Sequence, residues 1–132
     1  MKDQFVTYEI ALKLKELDFN EECFGWYNYD KLQLFGHDCL LDGYAGEEDR
    51  PFAPTWQQAI DWFRVKYNIH IKISFVGKYW YEYKKGYGAI YINDKTHIKD
   101  SYEEAREASI LKVINIIEDE VRSNLGEVPA NS

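Results

Sequence analysis

Residues 53–73 read Ala-Pro-Thr-Trp-Gln-Gln-Ala-Ile-Asp-Trp-Phe-Arg-Val-Lys-Tyr-Asn-Ile-His-Ile-Lys-Ile. In the first half, apolar side chains recur every three or four residues, which is typical of one face of a helix. These are Trp56, Ala59, Ile60, Phe63 and Tyr67. From Ile69 the period becomes two, as in a strand that buries one face. The apolar side of that strand is Ile69, Ile71, Ile73 and Phe75, and the polar side is His70, Lys72 and Ser74. The stretch therefore predicts a helix followed directly by a strand.

Both ends of this helix carry termination signals. Thr55 followed by Gln58 is a capping box, in which the hydroxyl accepts an amide of the first turn and the glutamine reaches back to the cap. Asn68 suits a left-handed residue at the helix end. We expect Trp56 and Phe63 to be buried, and replacement of either by alanine to cost about 3–5 kcal/mol.

Composition bounds the class of protein. A chain of 132 residues is one domain by length, and 45% hydrophobic residues is within the globular range. No apolar run approaches the length of a membrane span, and the first residues lack the apolar region of a signal peptide. Cys23 and Cys39 are therefore expected to be reduced, unbridged thiols in a cytoplasmic protein, with Cys23 at the start of a strand and Cys39 in a loop.

Charge and aromatic content are both unusual. The net charge is −7, aromatic residues make up 17%, and there are eleven Tyr and four Trp. An acidic field argues against nonspecific binding of nucleic acid, because that affinity comes from neutralising phosphates. Residues 51–100, however, carry eight basic and four acidic side chains, so a local basic patch stays open as an alternative.

The first third of the chain predicts a helix and a hairpin. Thr7 is a candidate N-cap for a helix that ends near 18–20, and Val6 and Ala11 are placed as a hydrophobic staple. Residues 23–29 and 32–35 then have the composition of two short strands. Residues 36–50 show no periodicity, and such long loops are either functional or mobile.

The second half predicts a three-stranded meander and a final helix. Strands at 69–75, 78–84 and 87–92 are separated by glycine-containing turns, and residues 93–100 form a polar connection. Ser101 with Glu104 is a second capping box, and the helix that follows is expected to end at Leu125-Gly126, before Pro129.

The predicted order is α-β-β-α-β-β-β-α. Hairpins and meanders make antiparallel sheets, so the expected fold is a single α+β domain over residues 1–132. We expect one antiparallel sheet, the hairpin plus the meander, with helices packed on one face. Residues 1–6 and 127–132 are expected to be frayed.

Three segments in fixed order carry a resemblance. They are Tyr-Glu-Ile-Ala-Leu-Lys-Leu-Lys-Glu-Leu-Asp-Phe-Asn-Glu-Glu-Cys-Phe-Gly at 8–25, Ala-Pro-Thr-Trp-Gln-Gln-Ala-Ile-Asp-Trp-Phe-Arg at 53–64 and Ser-Tyr-Glu-Glu-Ala-Arg-Glu-Ala at 101–108. Together they resemble a functionally uncharacterised family of small proteins from Bacteroides-type gut bacteria and their prophages and mobile elements. The resemblance implies no catalytic residue or cofactor. It implies only a phage-borne or accessory role.

Catalytic and metal-binding patterns are weak. His37, Asp38 and Cys39 are neighbours in the 36–50 loop, but a Cys–His pair has to meet in space with a third group to orient the base. The two cysteines and scattered histidines lack the spacing of a zinc site. We expect no catalytic residue, metal or cofactor, and a small hydrolase using loop 36–50 is the weakest of the functional hypotheses.

The Lys78–Tyr87 hairpin is the most distinctive cluster. Alternation places Tyr79, Tyr81 and Tyr83 on one face and Lys78, Trp80, Glu82 and Lys84 on the other. Aromatic rings beside lysines bind bases and phosphates in sheet-surface RNA readers, but the same pattern arises when one aromatic row packs beneath helices. The candidate binding residues are Trp80, Lys78, Lys84, Lys85 and Tyr87.

An interaction module is the leading functional hypothesis. Leu111 and Ile116 lie outside the central stripe of the last helix, and Trp80 points away from the tyrosine row, so an exposed patch is expected there. Such a patch predicts self-association or binding of a partner protein. The alternative is a nucleic-acid-related accessory protein, either binding through the basic hairpin or imitating nucleic acid with its acidic ends.

Overall fold

The structure is a computed structural model that describes residues 2–36, 40–86, 90–91 and 98–130. By its internal contacts the chain divides into two compact units, Met1–Phe63 and Arg64–Ser132. The helices in the described residues are α1 (Tyr8–Glu16), α2 (Trp56–Tyr67) and α3 (Tyr102–Ala130). The strands are β1 (Gly25–Asn28), β2 (Lys31–Leu34), β3 (Phe52–Ala53), β4 (Ile69–Phe75), β5 (Tyr79–Lys85), β6 (Ile90–Tyr91) and β7 (Ile98–Lys99).

The α+β class and the predicted order of elements are confirmed. Two further strands, β3 and β7, stand outside the prediction, and each has only two residues. A pair of residues is too short to show a period of two, so only pairing with a neighbour reveals such a strand. Short 3-10 turns at Lys2–Gln4 and Asp42–Tyr44 complete the described elements.

The first unit contains an antiparallel sheet in the order β2-β1-β3. Its central strand β1 buries Trp26 and Tyr27, and the Tyr27 hydroxyl donates to the carbonyl of Val6 at 2.6 Å. The expectation of one continuous sheet is wrong: the hairpin and the meander lie in separate sheets. Among the described residues, the strands of the hairpin pair only with each other and with β3, and no meander strand pairs with them.

The second unit contains the sheet formed by β4, β5, β6 and β7. Strand β4 pairs with one edge of β5, while β6 and β7 pair with opposite ends of its other edge. Helix α3 packs across β4, β5 and β7. Helix packing on a sheet face is thus confirmed for α3.

The register predicted for β4 is confirmed over most of its length. Ile69 is buried, and Ile71 and Ile73 are half-buried, while His70 and Lys72 are exposed. The exception is Phe75 at the end of the strand, which is 63% exposed and lies against the ring of Tyr79 at 4.9 Å between centroids.

All three predicted N-caps are confirmed. The side-chain oxygens of Thr7, Thr55 and Ser101 each accept the amide three residues on, at 3.1–3.3 Å. At Thr55, the side-chain amide of Gln58 also donates to the carbonyl of Glu22 at 2.6 Å, a contact that the capping box does not predict.

Two other helix ends test the termination signals. Asn68 has the expected left-handed backbone, with φ of 56°. Helix α3, however, does not end at Leu125-Gly126 and continues to Ala130. Glycine costs a helix only about 1 kcal/mol, and a proline in the last turn removes one hydrogen bond, so these residues weaken the helix without ending it.

Burial on α2 follows the predicted face in part. Trp56, Ala59 and Phe63 are buried as expected. Ile60 and Tyr67 are half-buried, and Trp62 is buried in addition. The ring of Phe19 covers Trp62 edge to face, with centroids 5.0 Å apart. The helical periodicity of α2 does not predict this contact, because Phe19 belongs to a segment far away in sequence.

Candidate binding groove

The first unit contains an open groove with a volume of about 870 Å³. Three parts of the chain form it: the segment between α1 and β1, two phenylalanines (one just after β2 and one in β3), and the N-cap and first two turns of α2. The lining residues are Asn20, Glu21, Glu22, Cys23, Phe24, Phe35, Phe52, Thr55, Gln57, Gln58 and Asp61. A groove of this size is within the range of ligand-binding sites.

One wall is the irregular segment 19–24, which local contacts hold against α2. Helix α1 ends at a left-handed residue, Asp18, with φ of 65°, which redirects the chain. Phe19 then packs on Trp62, and the Gln58 amide donates to the carbonyl of Glu22. The wall therefore has fixed backbone positions although it belongs to neither helix nor strand.

The apolar part of the groove consists of three phenylalanines. Phe24 is 77% exposed and Phe35 is 38% exposed, while Phe52 is half-buried. The rings of Phe35 and Phe52 stack with centroids 6.3 Å apart. Phe52 also lies so close to Gly46 that a Cβ atom there would be 2.8 Å from the ring, so glycine is required at this position.

The described part of loop 36–50 supports this surface structurally. The carboxylate of Asp42 accepts the indole N–H of Trp26 at 3.1 Å and the amide of Gly36 at 2.8 Å. Arg50 lies over the ring of Tyr29, 4.5 Å from its centroid. The candidate catalytic residues His37, Asp38 and Cys39 lie outside the described residues, so the hydrolase hypothesis stays a prediction.

Cys23 is the one titratable group of the groove with a strongly shifted pKa. The pKa of its thiol is raised from 9.0 to about 12, chiefly by burial; the hydrogen bond from Gln58 opposes this shift and the charge of Glu21 adds to it. The thiol donates to the carbonyl of Glu21 at 3.1 Å. Since the thiolate is the nucleophilic form, the groove holds this sulfur in its unreactive state.

We expect Cys23 to react slowly with iodoacetamide. A pKa near 12 lowers the thiolate fraction at about pH 8, and the greater nucleophilicity of a basic thiolate restores only part of the rate. The net result is alkylation roughly 30–60-fold slower than that of free cysteine. Mass spectrometry of a Cys39→Ser variant, which leaves a single thiol, measures this rate. A rate equal to that of the urea-unfolded chain would contradict the shift.

The predicted binding residues of the hairpin are spread along β5 and its turns. Lys78 forms an ion pair with Asp100 at 2.6 Å, which raises the pKa of the lysine, and Lys85 pairs with Glu120 at 2.5 Å. Lys84 and Trp80 are half-buried, and the indole N–H of Trp80 is shielded from solvent with no hydrogen-bond partner among the described atoms. Tyr87 lies outside the described residues.

The tyrosine row of the same strand packs as the alternation predicts. Tyr81 and Tyr83 are buried, whereas Tyr79 is half-buried and meets the ring of Tyr102 edge to face at 6.2 Å. The buried rings have no free face on which a base could stack. Leu111 and Ile116 are half-buried, so the apolar margin of α3 is only partly covered.

The described residues offer neither a cluster of metal ligands nor a membrane-spanning helix. Among the described side chains, no group of three or more His, Cys, Asp and Glu residues is placed to bind a metal ion. None of the helices in the described part of the chain combines the length and the apolar character that a membrane span requires.

The sequence pattern did not predict the groove. Phe24 and Trp26 are two residues apart, so in a continuous strand both side chains would face the same side. Of the two, only Trp26 is buried. Phe35 and Phe52 meet only because β2 and β3 flank β1. The available signal was the pair Glu21 and Glu22 with Phe24 close by, at the start of the predicted strand 23–29.

Comparison with protein-family models, curated proteins and solved structures finds no match to this chain. The groove is therefore the main basis for a functional proposal.

Proposed function

We propose that this protein is a non-enzymatic interaction module that binds a short segment of another protein in the groove. The observation that carries the proposal is Phe24, whose side chain is 77% exposed at the edge of the cavity beside Phe35. A large exposed apolar side chain next to a concave surface is typical of a site that another molecule covers.

The energetics favour an apolar anchor in the partner. Fully covering an exposed phenylalanine contributes about 1.5–3 kcal/mol, and Phe35 adds part of a second ring. The polar N-terminal part of α2, with Gln57 and Gln58, lines the same groove. An anchor side chain would thus meet both apolar rings and amide groups, as at the core and rim of an interface.

A protein segment fits this groove better than a small molecule or a substrate. Drug-sized ligands are 70–90% enclosed by their sites, whereas the exposure of Phe24 leaves this cavity open along its edge. The nearest potential nucleophile, Cys23, is held as a thiol by its raised pKa. Both observations support binding over catalysis.

The nucleic-acid alternative has less support. Two lysines of the basic hairpin already have carboxylate partners, Lys78 with Asp100 and Lys85 with Glu120. A phosphate would have to compete with these partners, and the salt-dependent affinity of the hairpin would be reduced accordingly. Imitation of nucleic acid by the acidic surface is the remaining form of this alternative.

The biological setting is a further part of the proposal. The resemblance to small prophage and mobile-element proteins favours an accessory role in a bacterial cytoplasm. A reduced thiol at Cys23 is compatible with that compartment. Self-association through Trp80 stays a prediction, which light scattering at high protein concentration tests.

The proposed function predicts that Phe24→Ser abolishes peptide binding without destabilising the fold. Peptides are selected from a random library on the native chain, and their affinities for the variant are measured by fluorescence anisotropy. We expect a loss of at least about 10-fold, because the apolar contact contributes more than 1.4 kcal/mol. Thermal unfolding is expected to be unchanged, since the side chain is already exposed.

Phe75→Ser is the matched control. Phe75 is 63% exposed but belongs to β4 in the second unit, far from the groove in the sequence. This variant is expected to retain full peptide binding. The proposal is wrong if no selected peptide depends on Phe24, or if both variants lose binding equally.

A further inference from the structure

We infer that the segment bound by the groove is cationic, with arginine or lysine side chains beside its apolar anchor. This inference rests on the proposed function and specifies the partner of the same site. It is carried by the charges around the groove rather than by its apolar rings, so the two claims can be tested separately.

Every charged side chain among the described residues that line the groove is acidic. Glu21 and Glu22 lie on the segment after α1, and Asp61 lies on α2. The described lining residues include no lysine, arginine or histidine. Carboxylates from two elements beside the apolar rings therefore give this part of the groove a negative potential.

Glu21 and Glu22 are available to a partner. Both are exposed, and neither forms an ion pair within the described part of the chain. Their backbone is held in place, because Gln58 donates to the Glu22 carbonyl and the Cys23 thiol to that of Glu21. A fixed backbone with free carboxylates lets the site bind a cation without first ordering its own wall.

The surrounding unit has the same sign of charge. Residues 1–63 contain thirteen acidic and five basic side chains, a net charge of −8. Residues 64–132 contain ten acidic and eleven basic side chains, a net charge of +1. The acidic character of the whole chain is thus confined to the unit that carries the groove. Such a field accelerates the approach of a cationic segment and repels nucleic acid or an acidic peptide.

Aromatic rings make arginine the better cation here. The exposed ring of Phe24 lies beside Glu22 in sequence, and a guanidinium can stack on a ring while it donates two parallel hydrogen bonds to a carboxylate. Lysine provides the charge without the planar stack. We therefore expect peptides with arginine to bind more tightly than otherwise identical peptides with lysine.

The test uses synthetic peptides that share one apolar anchor and differ only in charge. Four versions carry arginine, lysine, glutamine or glutamate at the positions beside the anchor, and binding is measured by fluorescence anisotropy. The arginine peptide is expected to bind most tightly, the glutamate peptide most weakly. The affinity of the arginine peptide is expected to fall several-fold between about 50 and about 500 mM salt, because screening weakens exposed charge pairs.

The decisive variant is Glu21→Gln/Glu22→Gln, which keeps the shape and hydrogen-bonding capacity of both side chains. We expect it to weaken binding of the arginine peptide about 3–10-fold and to leave the glutamine peptide unaffected. The control is Glu47→Gln/Glu48→Gln, an equally exposed pair in the same unit that does not line the groove. It removes the same net charge and is expected to preserve binding.

Each outcome decides one of the two claims. If the glutamine or glutamate peptide binds as tightly as the arginine peptide, and Phe24→Ser still abolishes that binding, the charge inference is wrong and the groove function stands. If both glutamate-to-glutamine variants lose the same affinity for the arginine peptide, the effect comes from net charge alone and the inference is wrong. If no peptide binds in a Phe24-dependent way, both claims fail.

Discussion

Phe63→Ala is expected to lower the free energy of unfolding by about 3–5 kcal/mol. The side chain has no measurable exposure, and its ring lies against that of Trp62 with centroids 5.4 Å apart. Truncation removes the transfer energy of the ring and leaves a cavity that a close-packed interior fills only in part. Urea denaturation followed by circular dichroism measures the loss.

Val65→Ala is the control for the same helix. Val65 lies two residues further along α2 and is 75% exposed, so its truncation removes little buried surface. We expect a change within about 0.5 kcal/mol, because exposed substitutions without special contacts are close to neutral. A loss below about 1 kcal/mol for Phe63→Ala would mean that α2 is not the organising helix of this fold.

Trp26→Ala is expected to destabilise the protein by about 3–5 kcal/mol, again from a fully buried ring. Trp26 has a second role that Phe63 lacks, since its indole N–H donates to Asp42, whose other oxygen holds the amide of Gly36. Removing the donor leaves one carboxylate oxygen of Asp42 without this partner. Loop 36–50 is thereby coupled to the core of the first sheet.

Trp26→Phe separates the two contributions. It keeps one aromatic ring and removes the donor together with the rest of the indole, so we expect at least the usual cost of a hydrogen bond to a charged group, about 1.5–3 kcal/mol. Phe24→Ala, two residues earlier but exposed, serves as the control and should be within about 0.5 kcal/mol of the native chain. If Trp26→Phe is neutral, the bond to Asp42 does not stabilise the loop.

Local interactions made the secondary structure predictable from the sequence. The hydroxyls of Thr7, Thr55 and Ser101 cap the helices that their own neighbours form. The period of two along β4 likewise records burial under α3, which alternates with exposure at His70 and Lys72. These signals lie within a few residues of the element that they specify, so a linear pattern contains them.

The features that the sequence pattern did not predict depend on contacts between distant segments. Strand β3 occupies the second edge of β1, and its two residues are too few to show a period of two. Gln58 obeys the capping-box pattern but bonds to Glu22, because segment 19–24 is packed on α2 by Phe19. The same packing exposes Phe24 at the edge of a groove with Phe35. The sequence by itself determined the helices, the long strands and the acidic sign of the first unit, since these depend on neighbouring residues and composition. Only the tertiary structure decided the division into two sheets and the binding groove, because both depend on which distant segments meet.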